Sequence, residues 1–277
     1  MLRTITTITW LTFHEARRRR TAWAALAAGA LFMLLFSVGV RFIHAELGRE
    51  GESQLVVRQV HSFLLLAGLY VVHFLTVMLA IFASVDTVAG EIASHTIQAI
   101  VTRPVRRWQV LLGKWVGYAL MLALFLGLLG GGVLLAMRLI TGYAPPNPLQ
   151  GLALLIMEAL VLVSLSLLGG TRLSTLTNGV ALFLLYGLAF IGAWVEQIGA
   201  LLQSGAAVRV GVISSLLLPV EALWRRAAYL MQPPLANSIP SPFSVASVPS
   251  EAMVAYAALY GLAALALALR AFGRRDL

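Results

Sequence analysis

The chain has 277 residues, 60% of them hydrophobic and 11% charged, with a formal net charge of +9 and no cysteine. An average soluble domain is about half apolar and about a quarter charged, so this balance excludes an ordinary water-exposed surface. The missing cysteines exclude a disulfide framework, a thiolate metal site and a cysteine nucleophile.

The positive charge does not indicate nucleic acid, because no basic segment is interleaved with base-stacking aromatics. The arginines instead flank charge-free apolar runs long enough to cross the roughly 30 Å hydrocarbon layer as helices of about 20 residues. The chain therefore reads as all-α, a polytopic membrane protein with one transmembrane domain over 1–277.

The N-terminal segment MLRTITTITWLTFHEARRRR places Leu2, Ile5, Ile8 and Leu11 three residues apart. With Trp10 and Phe13 they predict a short elbow helix in the interface plane. The segment shows no small-residue cleavage site, so the first span is expected to stay as an anchor. That span is the uncharged run 21–40. The second, 62–85, is interrupted only by His73, and the third covers 115–137. TGYAPPNP then reverses the chain before a fourth run, 149–170, which contains Glu158. Arg172 marks a short turn into the fifth, 173–195. The sixth, 252–269, is followed by RAFGRRDL.

Between the last two spans lies a mixed segment, 196–250. Its VGVISSLLLPV piece is too short to span and reads as interfacial or re-entrant. PVEALWRRAAYLM follows, with Pro219 suited to a first helical turn and Leu223, Trp224 and Tyr229 available for an interfacial face. QPPLANSIPSPFSVASVPS reads as a return loop.

Six spans put both termini on one side. That side carries thirteen of the twenty basic residues, among them Arg17 to Arg20, Arg103, Arg106, Arg107, Lys114, Arg172, Arg270 and Arg274. By the positive-inside rule it is cytoplasmic, which makes 196–250 extracytoplasmic.

The segment 86–114 alternates charge with apolar residues and is interrupted at Arg103-Pro104. A proline disfavours helix for the residue before it, so a short helix, a break and a second helix entering span three are expected. Within it, the pattern GE-x-x-x-x-T-I-x-x-I-x-T-R-P-V-x-R-x-x-V-L-L-G-K from Gly90 to Lys114 resembles the signature of type-2 ABC exporter permeases. The arginine-rich elbow, six-span plan, extended outer segment and terminal GRRDL are similar too. The family commonly has glycine before the motif threonine, where this chain has His95. The resemblance implies a cytoplasmic coupling helix seated in a cleft of a separate nucleotide-binding subunit. Glu91 and Arg103 would pair across that boundary, Ile97 and Ile100 would make apolar contacts, and Thr96, Pro104, Arg106, Arg107 and Lys114 would complete the segment. ATP and magnesium would then sit on the partner ATPase, with no cofactor in this chain. A homodimer or heterodimer of permeases in a bacterial inner (plasma) membrane is the implied assembly.

The chain has no G-x-x-x-x-G-K-[ST] phosphate loop, and LLGKW lacks both the upstream glycine and the magnesium-holding hydroxyl. Glu158 lies about nine residues into its span, near mid-membrane at about 1.5 Å per residue. It admits two readings: a cation or proton site on a translocation path, or a protonated carboxyl bridging helices. No second acidic residue lies at matching depth in another span, which favours the bridge. His73 reads first as helix glue and second as part of the same path. The five histidines show no H-x-x-x-H or H-E-x-x-H spacing, so no metal site is expected. Ser164 and Ser166 have no plausible base and read as small interface residues, and Asp86 and Asp276 lie at membrane edges, so an intramembrane protease is disfavoured. The reading is a non-enzymatic permease, with a secondary transporter or membrane assembly scaffold as the alternative.

Overall fold

The computed structural model describes residues 2–18, 20–93, 106–233 and 247–274. All secondary structure in them is helical: α1 (Leu2–Arg18), α2 (Arg20–Glu50), α3 (Gln54–Ser84), α4 (Asp86–Ala93), α5 (Arg107–Thr141), α6 (Pro148–Gly170), α7 (Thr175–Leu201), α8 (Gly205–Leu217), α9 (Val220–Met231) and α10 (Glu251–Gly273). Among the described residues six helices are long and apolar enough to cross a membrane, namely α2, α3 continued into α4, α5, α6, α7 and α10. They coincide with the six apolar runs.

Several helices outlast their runs, most clearly α2, which reaches Glu50, and α5, which starts at Arg107. Helical hydrogen bonds close within the segment, so polar residues beyond the hydrocarbon layer continue the helix at no cost. The 35 residues of α5 make it about 52 Å long at about 1.5 Å per residue, well beyond a hydrocarbon layer of roughly 30 Å. Local chemistry sets the ends. Ser53, Ser174, Ser204 and Ser250 each accept a backbone N–H at a helix start. Gly142 closes α5 in the left-handed region at φ 71°, and Asn147 at φ 47° turns the chain onto Pro148.

The centre is the triangle α3, α5 and α6, where Leu65, Leu69, Leu111, Leu122, Leu126, Leu155 and Leu162 are buried. Its partners differ in exposure. α2 lies at the periphery, with Leu31, Leu34, Leu35 and Val38 about three-fifths exposed to the surrounding lipid. The elbow helix is not free on a surface. Thr9 Oγ1 donates to the Gly113 carbonyl at 3.1 Å, and a side chain at Gly113 or Gly117 would run into Ile8 or Thr12. These two contacts, four residues apart on both helices, set α1 parallel to the start of α5. Ile5 and Ile8 therefore face α5, whereas Leu11 and Trp10 point outward, which splits the stripe expected for a purely interfacial helix.

The region expected to be extracytoplasmic, its first piece interfacial or re-entrant and its second interfacial, forms a hairpin inside the bundle. α8 and α9 meet at a 110° bend. Leu218 is extended, at φ −145° and ψ 103°, as the residue before a proline requires, and Pro219 ends the first arm. The first arm runs antiparallel to α7, since Gly199 faces Ala207 and Gly192 faces Ser214. A Cβ on Gly199 would lie 2.5 Å from that of Ala207, so glycine permits this close seam. The second arm runs antiparallel to α6: Glu221 lies near the depth of Glu158, Met231 rests on Gly151, and Asn147 Nδ2 donates to the Leu230 carbonyl at 3.4 Å. Both ends of the hairpin thus lie on one side of the membrane. It is re-entrant, and the six-span count stands.

Candidate functional site

At the hairpin's tip four helices bring polar side chains together. His73 of α3 faces Glu158 of α6, Nδ1 to Oε2 at 2.9 Å. Its other ring nitrogen faces Glu221 of α9, Nε2 to Oε1 at 3.7 Å, and the Tyr186 hydroxyl of α7 stands 3.5 Å from the same nitrogen. The side chains of His73 and Glu158 are 1% exposed and that of Glu221 is 4% exposed. The Trp224 ring stacks against the imidazole with centroids 5.0 Å apart, and Tyr70, one turn before His73, stacks at 5.7 Å.

Both ring nitrogens of His73 face carboxylates, which leaves no lone pair to face a metal. Two carboxylates and one imidazole are neutral only when they share two protons. An isolated net charge at this depth is costly, so the cluster's proton count is tied to its closure. Among the described residues Glu158 Oε1 and Glu221 Oε1 have no hydrogen-bond partner, which leaves two buried acceptors open.

A second cluster lies one turn further along α9, towards the outer end of the hairpin. The Arg225 guanidinium grips Glu196 of α7 end-on through its two terminal nitrogens, at 2.6 Å and 2.8 Å, and donates to Ser215 Oγ of α8 at 3.3 Å and to the Ser247 carbonyl at 3.5 Å. Ser247 Oγ donates to Glu196 at 2.5 Å, and its N–H donates to Gln197 at 3.0 Å. One buried ion pair thus ties α7, both hairpin arms and the approach to α10. Glu221, Trp224 and Arg225 share a face at i, i+3 and i+4. Trp224 and Leu223, expected to be interfacial, face the protein interior, while Tyr229 faces out beneath the Arg226 guanidinium at 5.7 Å.

Beside the N-terminal end of α3, a groove of about 700 Å³ is lined by His44, Arg58, His61 and Tyr143. His44 Nδ1 and His61 Nε2 are 3.3 Å apart there. Burial pushes the Tyr143 phenol above its ordinary range, with Arg58 acting in the opposite sense.

The residues of the coupling segment divide. Glu91 is on the last turns of α4, with its side chain outside the described residues, as are Thr96, Ile97, Ile100, Arg103 and Pro104. Arg106 is exposed at the start of α5, its backbone N–H bonded to Gln109 at 3.2 Å, and Arg107 is half-buried. Lys114 is buried, and Nζ donates to the Thr87 carbonyl at 3.2 Å. Thr87 Oγ1 donates to the Tyr118 hydroxyl at 2.6 Å, and Thr175 Oγ1 to Asp86 at 3.2 Å. These bonds fasten α4 to α5 and α7. Ser164 accepts the Trp115 indole N–H at 3.0 Å, which joins α5 to α6.

An all-α, six-span bundle with a re-entrant hairpin and a buried polar centre defines a multi-pass membrane protein. The sequence profile described as "ABC-2 family transporter protein" matches residues 7–277, and the chain belongs to that family of transporter permeases. No curated protein matches it.

Proposed function

We propose that the chain is the membrane-spanning subunit of an ATP-driven exporter in a bacterial inner membrane, with both termini cytoplasmic. It works with separate nucleotide-binding ATPase subunits and a second permease, identical or closely related. The observation that carries this reading is membership of a transporter permease family over 7–277 in a chain whose sequence has no phosphate loop.

ATP-driven closure of the partner subunits pushes on 86–114. The bonds Lys114 to Thr87, Thr87 to Tyr118 and Thr175 to Asp86 give that push a route into α5 and α7. The bundle then shifts between two states, each favoured by its own ligand. The His73, Glu158 and Glu221 cluster lies on the path, where displacement of the hairpin tip separates Glu221 from His73. A buried acid–histidine cluster is also what an ion-driven transporter uses, so the ATPase is the point to test.

Tagged chain should co-purify with a nucleotide-binding subunit. Glu91→Ala and Arg103→Ala should insert normally and lose ATPase association or coupling, since stranding one member of a desolvated pair costs about 2–5 kcal/mol. Arg17→Ala should cost only about 1 kcal/mol of lipid attraction. Equal binding and transport by all three variants would remove 86–114 from the coupling role.

A further inference from the structure

On the side opposite the hairpin, the turn between α6 and α7 and the last turns of α10 enclose a groove of about 620 Å³, lined by Thr171, Arg172, Leu267, Arg270, Ala271 and Arg274. Three guanidinium groups converge on it from two directions. Arg172 is held in the turn by its backbone N–H on the Gly169 carbonyl at 3.0 Å. Arg270 lies in the last turn of α10, and Arg274 caps the helix four residues on, its backbone N–H on the Arg270 carbonyl. All three are exposed, and among the described residues none has a side-chain partner. No acidic side chain among the described residues lines the groove.

The floor distinguishes this groove from a site for a free ion. Leu267, Arg270, Ala271 and Arg274 share one stripe of α10, which passes from apolar to basic towards the helix end. Leu259, Leu262 and Leu267, all more than half exposed, continue the helix's apolar surface into the hydrocarbon layer. A molecule matched to this stripe has an anionic head and an apolar tail. We propose that the groove between the α6–α7 turn and α10 binds the headgroup of an anionic phospholipid, with its phosphate on Arg172, Arg270 and Arg274 and an acyl chain along Leu267. The lining matches what basic pockets between spans recognise, and the site does not depend on the ATPase reading.

The test uses the full-length protein in detergent, titrated with phosphatidylglycerol, with phosphatidylcholine and with inorganic phosphate, and read by native mass spectrometry. Phosphatidylglycerol should bind well above phosphatidylcholine, and millimolar phosphate should not displace it. Each arginine contributes about fivefold, so the triple variant R172Q/R270Q/R274Q should bind roughly a hundredfold more weakly. The triple R41Q/R138Q/R209Q removes the same charge elsewhere and should keep most of the binding. If the groove triple aggregates, R270Q alone should still show its fivefold loss. Equal losses in the two triples would reduce the effect to net charge, and full displacement by phosphate would make this a free-anion site. Either result overturns the lipid assignment.

Discussion

The two polar clusters on α9 lie one turn apart and are built on different terms. Arg225 and Glu196 form an end-on pair in which both carboxylate oxygens and both terminal guanidinium nitrogens are engaged, Ser215 and Ser247 add further bonds, and Arg225 Nε alone lacks a partner among the described residues. At His73 the contact to Glu158 is a full hydrogen bond, but that to Glu221 is 3.7 Å, and two carboxylate oxygens are unpartnered among the described residues. The hairpin is therefore fastened near its outer end and only seated at its tip. A segment held in this way is expected to move most where its polar groups are least satisfied, at Glu221 rather than at Arg225.

The comparison can be broken most forcefully at the fastened end. Arg225→Ala strands the Glu196 carboxylate and should cost about 3–5 kcal/mol, read as a large fall in melting temperature in detergent. The double variant Glu196→Leu/Arg225→Met should recover most of that loss. A mild Arg225→Ala phenotype would mean that the outer end is not the anchor. Next comes the seam beneath it. Gly199→Val overpacks the contact with Ala207 and should cost about 1–3 kcal/mol, with increased labelling of a cysteine placed at Ala207. Unchanged labelling would mean that α8 does not lie against α7. The smallest stability effect belongs to the tip. Glu221→Gln and Glu158→Gln should each stay within about 1 kcal/mol of the parent, because an amide replaces one carboxyl of an incompletely bonded cluster. Glu158→Gln should also flatten the pH dependence of transport. If it retains the parent pH profile, the tip is as structural as the anchor.

The six spans were legible because a charge-free run of spanning length suits little besides a helix across a bilayer. Glu158 and His73 were legible for the same reason, each being a polar exception within such a run. Glu221 was not. It lies in a twelve-residue helix with two arginines, whose amphipathic pattern fits a membrane surface as well as a polar interior. Only the packing of α9 on α6 decides between them. The signal available was E-x-x-W-R, two opposite charges and an aromatic on one helical face beside a segment already too short to span. The α1 stripe misled in a related way: a three-residue period names a face without saying what covers it, and half of that face is covered by Gly113 and Gly117 of α5.

The re-entrant hairpin also constrains how the protein is made. Arms of 13 and 12 residues are too short to be threaded across a bilayer singly, and their cradle of α3, α6 and α7 is complete before they emerge. The hairpin is thus seated by a glycine seam and an arginine rather than by hydrophobic length. Assembly of the polar centre becomes a folding step separate from the insertion of the spans, and a chain that fails it would still display every span in its correct orientation.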